Sequence, residues 1–164
     1  MHQKRCLKTT RHSGDAALSG TELQMAEADQ NAYVLEDQIG YLLRLANQRH
    51  LEIFAAALSD VTPTQFATLV KLHQLGVMSQ NHLGRLVAMD AATTNGVVTR
   101  LRKKGFVQTQ ASTSDLRRLD VSLTADGEAF VLAAIPTAFE VSRKTTDALS
   151  TREVTQLLAL LAKL

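Results

Sequence analysis

The chain has 164 residues, 45% hydrophobic and 21% charged, with one cysteine, Cys6, and a formal net charge of +2. That suffices for one compact domain with an appended helical arm, and it excludes wholesale disorder, an internal disulfide and a thiolate zinc cage. No apolar run approaches the roughly 20 residues of a membrane span, and no apolar core follows Lys4, Arg5 and Lys8 as in a signal peptide, so a cytoplasmic chain with no membrane partner is expected.

Residues 1–28 lack apolar periodicity and read as a flexible N-terminal arm, partly helical near Leu23 to Ala28. From Asp29 to Leu58 the spacing predicts a first helix, with Ile39, Leu43, Ala46, Phe54 and Ala57 near one line at about 100° per residue. Thr62-Pro63-Thr64-Gln65 supplies a cap, a proline at the first helical position and a capping box for a second helix carrying Phe66, Leu69 and Val70. That helix should end near Gly76. Ser79 caps a short third helix with Leu83, Leu86 and Val87 inward. Asp90 caps a fourth, with Thr94, Val97, Val98 and Leu101 inward and Arg102, Lys103 and Lys104 in a last turn that stops at Gly105.

Phe106–Thr109 and Leu119–Leu123 then predict two short strands around a polar loop, Ala111 to Arg118. Thr124 begins another helix with Phe130, Val131, Leu132 and Ile135, which Pro136 should kink or break. Ser150-Thr151-Arg152-Glu153 is a second capping box opening a final helix. The leucines of that helix span roughly 160° of arc, more than one packed side covers. A second copy of the chain would cover the remainder; burial against its own domain is the alternative.

Charge is unevenly placed along this order. Residues 13–60 carry a net −6, whereas residues 79–118 carry seven basic and two acidic groups. The element order is that of a winged helix-turn-helix, mainly α with a small β-hairpin wing and a helical dimerisation region. The basic segment coincides with the helix and hairpin that such a fold brings to DNA. The expected organisation is an arm at 1–28, a first helix at 29–60, a DNA-binding lobe at 61–123 and C-terminal helices at 124–164. The plainer reading of the basic segment is a solvated face.

The outward face of the fourth helix carries Ala92, Asn95, Gly96, Thr99 and Lys103. Asn95 and Thr99, with Thr93 on the flank, suit base edges, while Arg100, Arg102 and Lys103 suit phosphates. Ser79 and Arg85 of the third helix join the expected DNA contacts. In the loop, Asp115 can orient Arg117 beside Arg118, and a loop-tip arginine suits a minor groove; the alternative is an exposed ion pair. Gly96 costs about 1 kcal/mol in a helix interior relative to Ala. Either it lets the helix approach a duplex closely or it relieves crowding against a neighbour.

In the first helix Asn47 and His50 lie within the apolar stripe and Arg49 at its edge, with Phe54 on the same line and Phe66 on the second helix. Buried polar groups there need partners. These five could receive a small aromatic carboxylic acid, or Asn47 and His50 could bond backbone or a dimer partner. The histidines His2, His12, His50, His73 and His82 show no metal-ligand spacing, so neither metal nor cofactor is expected. Cys6 lies among basic residues that favour its thiolate, which leaves an oxidant-sensing role open. A small enzyme using His50, and a winged-helix module binding only protein, are the remaining readings.

The stretch from Asp115-Leu116-Arg117-Arg118 through Leu123-Thr124 resembles the D-x-R-x5-L-T wing signature of the MarR family of bacterial transcription regulators. Thr62–Phe66, Ser79–Leu86 and Met89–Thr93 resemble that family's second, third and fourth helices. The resemblance covers roughly residues 33 to 162 and departs from many members at Gly96, where they carry a larger polar or basic residue. It implies a homodimeric, non-enzymatic repressor with a dimerisation and ligand-cleft helix at 29–60 and dimerisation helices at 124–164, which binds a pseudo-palindromic double-stranded DNA operator and is released by a small aromatic acid. Within the family, Glu36–Gly40, Asn47–His50 and Met89–Thr93 resemble the nicotinate-catabolism repressors, which implies a hydroxylated nicotinate as inducer.

Overall fold

A helix begins at Ile39, not at Asp29, because the chain before it closes on itself. In the computed structural model, which describes residues 33–111 and 118–164, Leu35–Asp37 form a single 3-10 turn. Val34 and Gln38 on either side are extended, with ψ of 114° and 128°, so the turn cannot run on into a helix. The Gln38 side-chain Nε2 also donates to the Val34 carbonyl at 2.8 Å. The expected start of the first helix is therefore corrected to α1 (Ile39–Ala57). The chain divides into two compact units, residues 1–41 and 42–164. The arm with Cys6, and the wing tip with Asp115 and Arg117, lie outside the described residues.

The remaining elements start where local chemistry sets them. α2 (Pro63–Leu75) opens on a capping box in which Thr62 Oγ1 accepts from the Gln65 amide and Gln65 Oε1 accepts from the Thr62 amide. It ends at Gly76, whose φ of 74° favours glycine. β1 (Met78–Ser79) leads into α3 (Gln80–Leu86), and α4 (Ala91–Lys103) follows after Asp90. β2 (Val107–Ala111) and β3 (Leu119–Leu123) form the hairpin, whose first strand runs two residues past the expected Thr109. The three strands make one antiparallel sheet in the order β1-β3-β2, with Met78 opposite Val121 and Val107 opposite Leu123.

α5 (Ala125–Thr145) is one helix through Pro136, which corrects the expected break. Proline removes one amide bond, to the carbonyl of Leu132. Both residues are exposed, so water can satisfy that carbonyl, and the rest of α5 is held by buried Val131, Ala134 and Val141. α6 (Thr151–Leu161) opens on the Ser150–Glu153 capping box.

Within the second unit the core gathers Leu69, Leu72, Leu83, Val97, Val98, Leu101, Val107, Val121 and Val131. It therefore clamps α2, α3, α4, the sheet and the first half of α5 together. Its polar members are all bonded locally: Thr68 donates to the Thr64 carbonyl and Thr94 to the Asp90 carbonyl. This rigid lobe presents the outward side of α4 and the hairpin.

Candidate nucleic-acid interface

α4 is fixed at its N-terminal end and along its inner face. Asp90 accepts from the Thr93 amide at 2.7 Å and from the Thr93 hydroxyl at 3.1 Å. Those bonds, the amide first, hold the Asp90 carboxyl below its ordinary value, because they favour the charged form. The inner face is sealed by Thr94, Val97, Val98 and Leu101, each at most 3% exposed. At the crossing with α3, Gly84 admits the neighbouring helix: a Cβ there would lie 2.5 Å from Thr94 Oγ1 and 3.2 Å from the Met89 carbonyl oxygen. Between the two helices Ala88 takes φ of 52°, the only described non-glycine residue at positive φ.

With its inner face so fixed, α4 turns Ala92, Thr93, Asn95, Arg100, Arg102 and Lys103 to solvent, with Gly96 and Thr99 half-buried. The described cations divide into engaged and unengaged groups. Arg102 donates to Thr109 Oγ1 of β2 at 3.3 Å, and Lys104 donates to the Asp60 carbonyl at 2.6 Å. Arg85 lies 3.3 Å from His82 Nδ1. Ser79 is 7% exposed, and its hydroxyl caps α3 by accepting from the His82 amide. It shares a cleft of about 150 Å3 with Gln80, Asn81, Leu119 and exposed Arg118. Among the described residues Gly96 does not relieve crowding against another element. The nearest atoms a Cβ there would meet are those of the Arg100 guanidinium, at an ordinary 3.5 Å.

Sequence reasoning missed Gly84, Ala88, β1 and the Arg102–Thr109 and Lys104–Asp60 contacts. Gly84 and Ala88 had a signal, a glycine in a short helix and a turn without one. A two-residue strand has no alternation to read, and the other contacts join distant segments.

The residues expected to receive a ligand are partly brought together. His50, Phe54 and Phe66 form a run of tilted rings, each pair with centroids 5.9 Å apart. His50 Nδ1 lies 3.2 Å from Thr145 Oγ1, and that hydroxyl gives its one proton to the Val141 carbonyl. It must therefore accept from Nδ1–H, which leaves Nε2 of a neutral ring as the acceptor. Arg49 already meets a carboxylate, that of Asp147 at 2.6 Å, and also donates to the Lys144 carbonyl. Asn47 is exposed rather than within a buried stripe. Phe54 lines a cavity of about 660 Å3 with Leu58, Val61, Gln65 and Lys104. Phe66 lines another, of about 320 Å3, with Val70, Ile135 and Phe139. Among the described residues no group of His, Cys, Asp and Glu could hold a metal ion, and no helix is long and apolar enough to cross a membrane.

Residues 61–119 match the model of the MarR family. The HTH-type transcriptional repressor NicR of Pseudomonas putida is 38% identical over 141 residues, spanning 85% of this chain and 89% of that protein. The crystal structure of a probable transcriptional regulator from Pseudomonas aeruginosa superposes with a TM-score of 0.76 at 48% identity, covering 79% of this chain and 98% of that one. BpsR of Bordetella bronchiseptica, whose DNA binding is regulated by 6-hydroxynicotinic acid, superposes with a TM-score of 0.77 at 33% identity, covering 81% and 96%. The capped α3–α4 pair, the hairpin beside it and these likenesses agree: the chain belongs to the MarR family and is a winged-helix transcription regulator rather than an enzyme.

Proposed function

We propose that the protein is a homodimeric repressor that binds a pseudo-palindromic operator and is released by a small aromatic carboxylic acid, with 6-hydroxynicotinate the leading candidate. The observation that carries the DNA reading is α4 itself: its buried face is locked, while its outward face is small at Ala92 and Gly96, polar at Thr93, Asn95 and Thr99, and cationic at Arg100 and Lys103. Such a surface fits a major groove. Ser79, Arg85 and Arg118 would flank it, with Asp115 and Arg117 at the wing. Residues 61–123 would be the DNA-binding lobe. The likeness to NicR and to BpsR supports the repressor and the ligand class.

The dimer reading rests on α6, none of whose residues is buried in one chain although Leu157, Leu158, Leu160 and Leu161 all belong to it. An eleven-residue helix does not persist in water on its own propensity. A second copy would cover that face, with 29–60 and 124–164 as the dimerisation segments.

For the ligand, His50, Phe54 and Phe66 supply ring contacts and an acceptor at Nε2 for a ring hydroxyl, and Asn47 adds a polar group nearby. Arg49 would take the carboxylate in exchange for Asp147. That exchange would loosen the tie between α1 and the end of α5 and so bias the spacing of the two lobes.

A mobility shift of the full chain on its own upstream DNA, titrated with 6-hydroxynicotinate and with benzoate, tests this. Retarded DNA released by the hydroxynicotinate is expected, and His50→Ala should blunt release about tenfold or more while leaving unliganded DNA binding intact. Unretarded DNA would end the operator reading, and a normal response of His50→Ala would move the ligand site elsewhere.

A further inference from the structure

Ala92, Gly96 and Arg100 follow one another at intervals of four, so they form one row along α4. The buried residues Thr94, Val97, Val98 and Leu101 set the opposite side. At about 100° per residue, Gly96 then lies near the middle of the outward face and the Arg100 backbone near its edge. By backbone position alone Arg100 belongs with the groups that grip phosphates. Its side chain does not stay there. Long helical side chains run toward the N-terminal turn, and the Arg100 guanidinium lies over Gly96. Both terminal nitrogens are 3.5 Å, and the central carbon 3.8 Å, from where a Cβ of residue 96 would be.

From this geometry we infer that Arg100 reads a base, a guanine in each half-site, rather than clamping a phosphate. The inference rests on the DNA-binding reading above and deepens it. The missing side chain at Gly96 provides the space, and the fold of the guanidinium over it carries five N–H donors from the edge of the face to its middle, one turn nearer the helix N-terminus. That is the end of a recognition helix that meets base edges. Among the described residues Arg100 makes no hydrogen bond or ion pair, in contrast to Arg102, Arg85 and Lys104, whose side chains are tied to Thr109, His82 and the Asp60 carbonyl. Its donors are therefore uncommitted among the described residues. A planar guanidinium so placed matches the paired O6 and N7 acceptors of guanine in the major groove. Asn95 and Thr99 would read the neighbouring pairs, and Lys103 would keep the phosphate role.

The test compares wild type, Arg100→Lys and Arg100→Ala as full chains. The probe is a duplex enriched by the wild-type chain from a randomised library, together with its complete set of single base-pair variants, each titrated at two salt concentrations. Lysine keeps the charge but not the fork, so the two roles separate. A guanine reader predicts that both variants lose about tenfold to a hundredfold of discrimination at one G·C pair per half-site, with the salt dependence of Arg100→Lys unchanged. Three outcomes overturn the inference. Arg100→Lys could keep the full wild-type preference. Arg100→Ala could weaken all duplexes alike with a shallower salt dependence, which is the mark of a phosphate contact. Enrichment of no duplex by the wild-type chain would overturn the DNA-binding reading itself, whereas the first two leave it standing.

Discussion

At the scale of single residues, Gly127 and Ala88, two small residues of the lobe, make opposite demands. Gly127 sits in the first turn of α5, directly beneath the residue joining α4 to the sheet. A Cβ there would collide with the Phe106 carbonyl, which meanwhile accepts from the Thr124 amide at 3.1 Å. The obstacle is backbone, so it cannot swing aside. Gly127→Ala is expected to destabilise the protein by about 1–3 kcal/mol through overpacking, read as a lower denaturant midpoint. Ala88, by contrast, holds a φ of 52° that costs an L-residue roughly 1–2 kcal/mol. Ala88→Gly should recover about 1 kcal/mol less the extra chain entropy of glycine, raising the midpoint, and an unchanged or lower midpoint would show that the turn is unstrained. The need for Gly127 was not legible from the chain alone, whereas Ala88 showed only as a turn without a glycine. Gly96 attracts notice because its cost is local, whereas the need for Gly127 depends on a carbonyl far off in sequence. The same holds for Arg49 and His50, which meet Asp147 and Thr145 across some ninety-five residues.

The elements whose ends were readable are those ended by neighbouring atoms. Thr62, Ser79, Asp90 and Ser150 each cap the helix expected of them, since the bonds join residues three apart and need no tertiary help. The readings that failed lacked such signals. Pro136 was expected to kink or break α5, and no break occurs, because burial of Val131, Ala134 and Val141 on either side outweighs one missing bond on a wet face. The early start expected for α1 overlooked a turn closed by Gln38. The Asp90 cap leads to a prediction in pH. Bonds from the Thr93 amide and hydroxyl hold its carboxyl below the ordinary 3.8 in the folded chain. A carboxyl lowered on folding stabilises fully above its unfolded value, and that contribution disappears as pH falls through the lower folded value. Asp90→Asn retains an acceptor for the cap but no titration. Thermal unfolding of the two proteins should therefore differ in their dependence on pH only below about 4, with the advantage of the carboxylate fading there. A constant gap down to pH 2 would mean that the cap is not carried by the ionised form.

For the whole molecule, the proposed dimer determines whether one lobe or two engage DNA at once. α6 is bound to its chain through a capping box and a short connection, yet Leu158 and Leu161 are 62% and 40% exposed. A lone helix of this length with an unburied apolar side has little to hold it. Two copies joined there would link two α4 helices, and an operator with half-sites one turn apart would then be bound by both. The second contact is made at an effective concentration set by the body joining the lobes, so avidity can exceed the affinity of one lobe by about 10²- to 10⁴-fold. Leu158→Asp with Leu161→Asp places charge on that side without touching the core around Leu69, Leu83 and Leu101. The double variant should sediment as a monomer and keep the unfolding transition of the lobe. It should bind a palindromic duplex weaker by a factor in that range, while its affinity for a single half-site changes little. If it remained dimeric, α6 would not form the joint. If it became monomeric yet bound the palindrome as tightly as the wild type, each lobe would act alone and the spacing of two recognition helices could not be what a ligand controls.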